Sequence, residues 1–357
     1  MTSKPQDIQT LLGLVGQYSP SGSEAAAVDQ LVGRMQQLGF TKAYRDDAGN
    51  AVGVMGSGAR QVILLGHIDT VPGEIAMRVD GDDLYGRGSV DAKGPLACFT
   101  DAVAQLGAQD GWQFIVIGAV EEERNSEGAR YVSTQYAPQY AIIGEPNRWD
   151  RVALGYKGSA WADLVVRQEQ FHSAHAEESA AEKVIGAWNR IREMADTYNQ
   201  NKPKNFDKIL LSIRSMISED DGFSQMAALG INCRLPVALP PAAWYELLAA
   251  TAPEAEVEPR GFAIPAYECA KNTSLVRSML AGIRSEGGTP SFVYKTGTAD
   301  LNIVAPVWGC EAIVYGPGDS AMDHTPNEHI SITEYQNAVR ALRNGLSVLC
   351  GAGKSAE

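Results

Sequence analysis

The chain has 357 residues, a formal net charge of −13, 45% hydrophobic residues and 20% charged residues. At roughly 100–200 residues per domain, this length implies two domains of ordinary globular composition. The acidic balance argues against a nucleic-acid partner, which calls for a basic field. No apolar run approaches the ~20 residues that span a bilayer, so no membrane partner is expected. The polar start, Met1 to Thr10, lacks a signal-type apolar segment and sets a cytoplasmic location as the expectation. The five cysteines (Cys98, Cys233, Cys269, Cys310 and Cys350) are scattered, odd in number and without a CxxC pair. They read as free thiols in a reducing compartment.

In chain order, an amphipathic helix is predicted over 7–18, ending at the turn Ser19-Pro20-Ser21-Gly22-Ser23-Glu24. A second helix carries Ala27, Val28, Leu31, Met35 and Leu38 near a 3.6 spacing and stops at Gly39. The runs 62–66, 114–120 and 141–144 are short, branched and continuous, as strands buried on both faces are. Helical patterns between them imply a mostly parallel α/β sheet. The character changes near Gly155. A strand over 154–166 is followed by a helix over 179–198, strands at 208–217 and 231–235, a helix through 248 and a strand at 254–258. This β-α-β-β-α-β order predicts a small inserted α+β domain with an open sheet. Beyond about Phe262 the α/β pattern resumes, with a helix over 273–284, strands at 292–294 and 311–315, and a closing helix over 332–349. The domain reading is therefore 1–154 with 263–357, and 155–262.

Ligand-type residues follow several of the predicted buried strands. His67 and Asp69 come after Leu64-Leu65-Gly66, Glu121-Glu122-Glu123 after Val120, and Glu145 after Ile143-Gly144. Asp91 stands in a glycine-rich stretch, and His324 follows a late strand. In open α/β sheets, sites form at the carboxyl ends of strands. One or two histidines among many carboxylates suit zinc or a related divalent ion, and suit a two-metal arrangement in which one carboxylate bridges. Alternation in His67-Ile68-Asp69 puts both side chains on one face, so that Asp69 can hold the free imidazole nitrogen of His67. The acidic triplet exceeds what coordination needs, and one of its members can act as general base. There is no GxSxG elbow, HExxH or Walker loop. Gly86-Arg87-Gly88-Ser89-Val90-Asp91 begins like a dinucleotide fingerprint, but Asp91 stands where the third glycine belongs.

Five motifs, in order, carry a resemblance. Gly-His67-Ile-Asp69-Thr-Val-Pro, Gly-Arg-Gly-Ser-Val-Asp91-Ala-Lys-Gly-Pro, Glu121-Glu122-Glu123, Gly-Glu145-Pro and Asp-His324-Thr-Pro-Asn-Glu328 resemble the ArgE/DapE/aminoacylase/carboxypeptidase group of co-catalytic zinc hydrolases. The resemblance implies a phosphorylase/hydrolase-like zinc-binding domain with an inserted ferredoxin-like lid or dimerisation domain, and hence a homodimer. It implies two divalent metal ions per subunit, zinc or cobalt. Asp91 would bridge them, with His67 and Glu145 on one and Glu123 and His324 on the other. Glu122 would be the base, a register fixed by Ser126 and Gly128-Ala129. The segment Phe171-His172-Ser173-Ala174-His175 would supply a histidine, His172 by spacing and His175 as the runner-up, to stabilise an oxyanion in the partner's site.

Within the group, Gly155-Tyr156-Lys157-Gly158 and 295–302 resemble a branch that frees lysine or ornithine from the LysW carrier protein. By that resemblance Asn232, Arg234, Gly297, Thr298 and Asp300 contact substrate, with Asp300 and Glu268 the acids available to a cationic side chain. An acidic carrier would need a basic patch, expected at Arg148, Arg151 and Lys157; without one, small N-acyl amino acids (N-acetyl-lysine, N-acetylornithine or a dipeptide) become the alternative. The complete ligand set speaks against a non-enzymatic scaffold.

Overall fold

The computed structural model describes residues 8–172 and 176–352. The chain divides into two units. The first runs to Leu154 and adds Cys269–Val293 and the chain from Ala299; the second is Gly155–Glu268 with Tyr294–Thr298.

The centre of the first unit is four parallel strands in the order Trp112–Ala119, Arg60–His67, Tyr140–Gly144 and Glu311–Tyr315. Their apolar runs are buried almost throughout, which is why they read as continuous rather than alternating. Antiparallel strands flank them: Ala51–Gly56 and Lys42–Arg45 on one side, Arg151–Tyr156 on the other. The register sets the site. His67 pairs with Ala119, Gly66 with Gly144, and Gly144 with Tyr315, so all four chains leave the sheet at one level. Gly144 permits this close layering: a Cβ there would stand 2.9 Å from the Phe99 ring and 3.1 Å from the Gly66 backbone. Phe99 belongs to the helix Lys93–Leu106, which packs across the sheet with Leu96, Ala97 and Cys98 also buried. A second, small sheet joins Arg78–Asp80, Asp83–Tyr85 and His329–Ser331.

The second unit is an antiparallel sheet in the order Leu210–Asp220, Ser224–Leu235, Gly158–Glu169, Glu256–Ile264. With helices Ala180–Asn199 and Pro241–Thr251 in chain order, this is the ferredoxin-like arrangement. Its core gathers Leu164, Val184, Ile191, Leu229, Ile231, Trp244 and Leu248. The long helix starts at a full capping box, Ser179 with Glu182.

Three expectations need correction. The strand predicted over 154–166 is two strands, Arg151–Tyr156 and Gly158–Glu169, because the chain breaks at Lys157. The helix Leu301–Trp308 has no counterpart among the predicted elements. It is short, Pro306 argues against a helix there, and the apolar run Ile303-Val304-Ala305 imitates a strand. The second unit also takes in 263–268 and the returning segment Tyr294–Thr298.

Candidate functional site

His67 closes its strand 2% exposed, and the next two residues are fully buried. Its Nδ1 lies 3.0 Å from the carbonyl oxygen of Asp69 and 3.4 Å from Oδ1 of that residue's carboxylate. The expected contact between His67 and Asp69 is thus made first by the Asp69 backbone. The Asp69 carboxylate has a different set of bonds. Ser21 Oγ donates to it at 2.7 Å, and the N–H groups of Glu122 and Glu123 donate at 3.1 Å each. It therefore anchors the acidic loop that carries both residues.

That loop is shaped by Glu121 and Ser126, which adopt left-handed backbone conformations at φ 60 and 52, and by three N–H groups (Arg124, Asn125 and Ser126) that donate to the Glu121 carbonyl. Its neck is closed by Asn50, which accepts from Val120 N–H at 3.0 Å and donates to the Gly128 carbonyl at 3.3 Å. A Cβ on Gly128 would stand 2.3 Å from the Asn50 oxygen, so glycine is required there. Sequence reasoning missed Asn50; its buried amide, 70 residues from Val120, leaves no local signal.

His67, Asp91, Glu122, Glu123, Glu145 and His324 converge. His67 Nε2 lies 3.2 Å from Asp91 Oδ1, and His324 Nε2 lies 3.1 Å from Asp91 Oδ2 and 3.0 Å from Glu123 Oε1. Ligand-type atoms fall within 4.8 Å of one another in three groups: His67-Asp91-Glu145, His67-Glu122-Glu123 and Asp91-Glu123-His324. The first and third share Asp91.

The electrostatics reflect this crowding. Burial pushes the Glu122 and Glu145 carboxyls well up, and neighbouring carboxylates add to the rise. Burial also pushes Asp300, 2% exposed and without a well-formed hydrogen bond, up to about 7, against the pull of His67 and Ser126. Asp91 is held well below the carboxylate range: burial opposes this, and the contacts from His324 and His67 overcome it. Those contacts with Asp91 and Glu123 raise His324 to about 10, and His67 rises too, burial being outweighed by Asp69 and Asp91. Glu122, Glu145 and Asp300, each raised by burial and by neighbouring carboxylates, are short of nearby positive charge. Divalent cations supply it, and oxygen-plus-imidazole donors fit zinc and its neighbours; the residues present therefore fit a metal centre.

Asn232, Arg234, Gly297 and Thr298 lie in the second unit. There Asn232 Nδ2 donates to Ser159 Oγ at 3.0 Å, Arg234 donates to Thr298 Oγ1 at 3.1 Å, and Gly297 faces open space. His172, in the same unit, is exposed, and His175 lies outside the described residues. Of the two acids named for a cationic side chain, Asp300 is buried and Glu268 is exposed. The basic patch expected at Arg148, Arg151 and Lys157 does not form. Lys157 is fully buried, with its ammonium donating to the carbonyls of Asn205, Phe206 and Lys208, and burial pulls it down to about 8. Arg148 is ion-paired to Asp319, and the groove it lines with Arg151 also holds Asp82, Asp150 and Glu334.

A 42% identical relative from Deinococcus radiodurans, aligned over 98% of this chain and 100% of its own, is named [LysW]-lysine hydrolase. One from Thermococcus kodakarensis, 37% identical over 100% and 96% of the two chains, is named a putative [LysW]-lysine/[LysW]-ornithine hydrolase. The fold matches that of an M20 family metallo-carboxypeptidase from Sulfolobus solfataricus at a TM-score of 0.75 and 17% identity, covering 96% and 99% of the chains. The model of peptidase family M20/M25/M40 matches residues 63–347, and the chain belongs to this family of metal-dependent hydrolases.

Proposed function

We propose that this chain is a two-metal amidohydrolase that releases lysine or ornithine from a LysW-type carrier protein by cleaving a non-peptide C–N bond. The observation that carries the reading is the convergence of His67, Asp91, Glu123, Glu145 and His324 around a shared Asp91, with Glu122 alongside. Asp91, His67 and Glu145 would hold one divalent ion, and Asp91, Glu123 and His324 the other, zinc being the first choice and cobalt the second. Such ions, when bound, polarise the acyl carbonyl and acidify the attacking water. Glu122 takes a proton from that water and delivers it to the departing nitrogen, a task suited to a carboxyl raised by burial. Asp69 fixes the N–H groups of Glu122 and Glu123, and so aims base and ligand together. The partner subunit's His172 is assigned the oxyanion. Asp300 is assigned the substrate ammonium, with Asn232, Arg234, Gly297 and Thr298 completing the substrate contacts. A cytoplasmic location belongs to the same proposal.

The carrier reading rests on the names of the relatives. A small N-acyl amino acid is the second reading, favoured by the pairing of Arg148 and the burial of Lys157. Side-by-side incubation with LysW-γ-lysine, LysW-γ-ornithine, N-acetyl-lysine and N-acetylornithine decides between them. Release from the acetylated compounds alone would remove the carrier protein from the proposal.

Homodimerisation is proposed through the strand Leu210–Asp220, which ends its sheet with Ile213 44%, Met216 53% and Ile217 48% exposed. An open apolar edge is a pairing surface unless covered. Met216→Lys is expected to weaken the dimer by about tenfold or more, since a charge replaces an apolar contact. Sedimentation over a concentration series checks this, and a wild-type monomer at all concentrations would end the dimer proposal.

The metal-free protein should lose stability as pH rises. Glu122, Glu145 and Asp300 are raised by burial, and His324 by Asp91 and Glu123. His67 is raised against its burial by Asp69 and Asp91. Each binds its proton more tightly folded than unfolded, so the unfolded chain releases protons first. The contribution is fully present below the unfolded values and is lost as pH climbs through about 7 for Asp300 toward about 10 for His324. Asp69 and Asp91 are lowered and contribute fully above the carboxylate range, adding no slope there. With zinc bound the trend reverses, because ligands must be deprotonated. Melting temperatures with and without zinc, from about pH 5 to about pH 9, check both signs.

A further inference from the structure

We propose that Glu328 is a positioning residue that fixes the spacing between Asp91 and His324 through a buried ion pair with Arg87. The inference rests on the two-metal reading above. Glu328 is fully buried. Its Oε1 accepts the N–H groups of Val90 at 2.9 Å and Asp91 at 3.0 Å, and its Oε2 pairs with Arg87 Nη1 at 3.0 Å. Arg87, also buried, donates Nη1 to the carbonyl of Thr325 at 3.2 Å and Nε to that of Gly73 at 2.8 Å. One ion pair thus grips the backbone of Asp91 on one side and the residue after His324 on the other, across 237 positions of sequence. The surrounding segments repeat the link. Gly86 N–H donates to the Glu328 carbonyl, Asp83–Tyr85 pairs with His329–Ser331, and the rings of Tyr85 and His329 stack at 4.7 Å.

The need for such a clamp follows from His324. Its side chain is 52% exposed and its backbone is left-handed at φ 60, so packing around the ring does not hold it; its loop must. A carboxylate costs several kcal/mol to bury unless its oxygens are engaged. Both oxygens of Glu328 are engaged, and its charge defines a distance that an apolar contact would not.

The test compares wild type with Glu328→Gln, Glu328→Ala and Arg87→Met. Zinc alone is titrated into each metal-free protein against a competing chelator, alongside circular dichroism, melting temperature, kcat and KM. Glu328→Gln keeps one acceptor and loses the ion pair, and Arg87→Met leaves the carboxylate in place, so a fold lost in one variant does not decide the matter. Positioning predicts that the weaker of two zinc equivalents is bound about 10–100-fold less tightly in the folded variants. It also predicts a parallel fall in kcat with KM within about twofold, since fewer molecules hold both ions in place while the groups that bind substrate are untouched. Folded variants that bind both equivalents with wild-type affinity overturn the inference, however far their melting temperatures drop. A wild-type protein that takes up fewer than two equivalents overturns the two-metal reading itself, whatever the variants do.

Discussion

Glu122→Gln is expected to lower kcat by about 10²–10⁴-fold, the range for losing a positioned acid–base group, while leaving metal content unchanged. The amide keeps the shape of the side chain and removes its basicity. The backbone N–H of Glu122 still donates to Asp69, so the loop and the neighbouring Glu123 stay in place. The measurement is turnover beside metal analysis of the same sample. Because Glu122 also sits within ligand distance of His67 and Glu123, the outcome is not trivial. A parallel loss of one metal equivalent would make Glu122 a ligand and leave the base to be found elsewhere.

Asp91→Asn should be more severe. Its carboxylate faces His67 on one oxygen and His324 on the other, at 3.2 and 3.1 Å, and belongs to both ligand groups that the proposed ions would use. Asparagine removes the charge that both positions share. We expect loss of at least one metal equivalent and a fall in turnover of about a thousandfold or more, beyond the 10–100-fold typical of a residue that only supports a ligand. The metal-loaded melting temperature should fall toward that of the metal-free wild type, because an ion that binds only the folded chain stabilises it by mass action. Retention of two equivalents by the variant would exclude Asp91 as the shared ligand.

How much of this was written in the sequence depends on the range of the interaction. The runs 62–66, 114–120 and 141–144 announced buried parallel strands because a strand covered on both faces must be apolar at every position. The acids and histidines that follow those runs were legible for the same reason: in a parallel sheet the carboxyl ends lie together, so residues after each strand share an edge. The order of elements in 155–262 sufficed for a small α+β domain with an open sheet, since a β-α-β-β-α-β chain has few ways to pack.

Other features were decided only in three dimensions. Lys157 reads as a surface cation in any one-dimensional view, yet it is buried and bonded to three carbonyls some 50 residues away. Asn50 carries no local pattern, and Glu328 stands in the motif Asp-His324-Thr-Pro-Asn-Glu328 with no sign of its role; their importance lies in partners 70 and 237 residues distant. Asp69 was read as a support for the histidine two residues away; its carboxylate lies 3.4 Å from that ring and also holds a loop more than 50 positions on, which the sequence did not announce. The sequence by itself determined which chain segments reach the active edge, because periodicity and strand burial are local properties of the chain. Tertiary structure decided which side chains hold that edge in register, because a hydrogen bond or ion pair between distant segments has no sequence signature until the chain is folded.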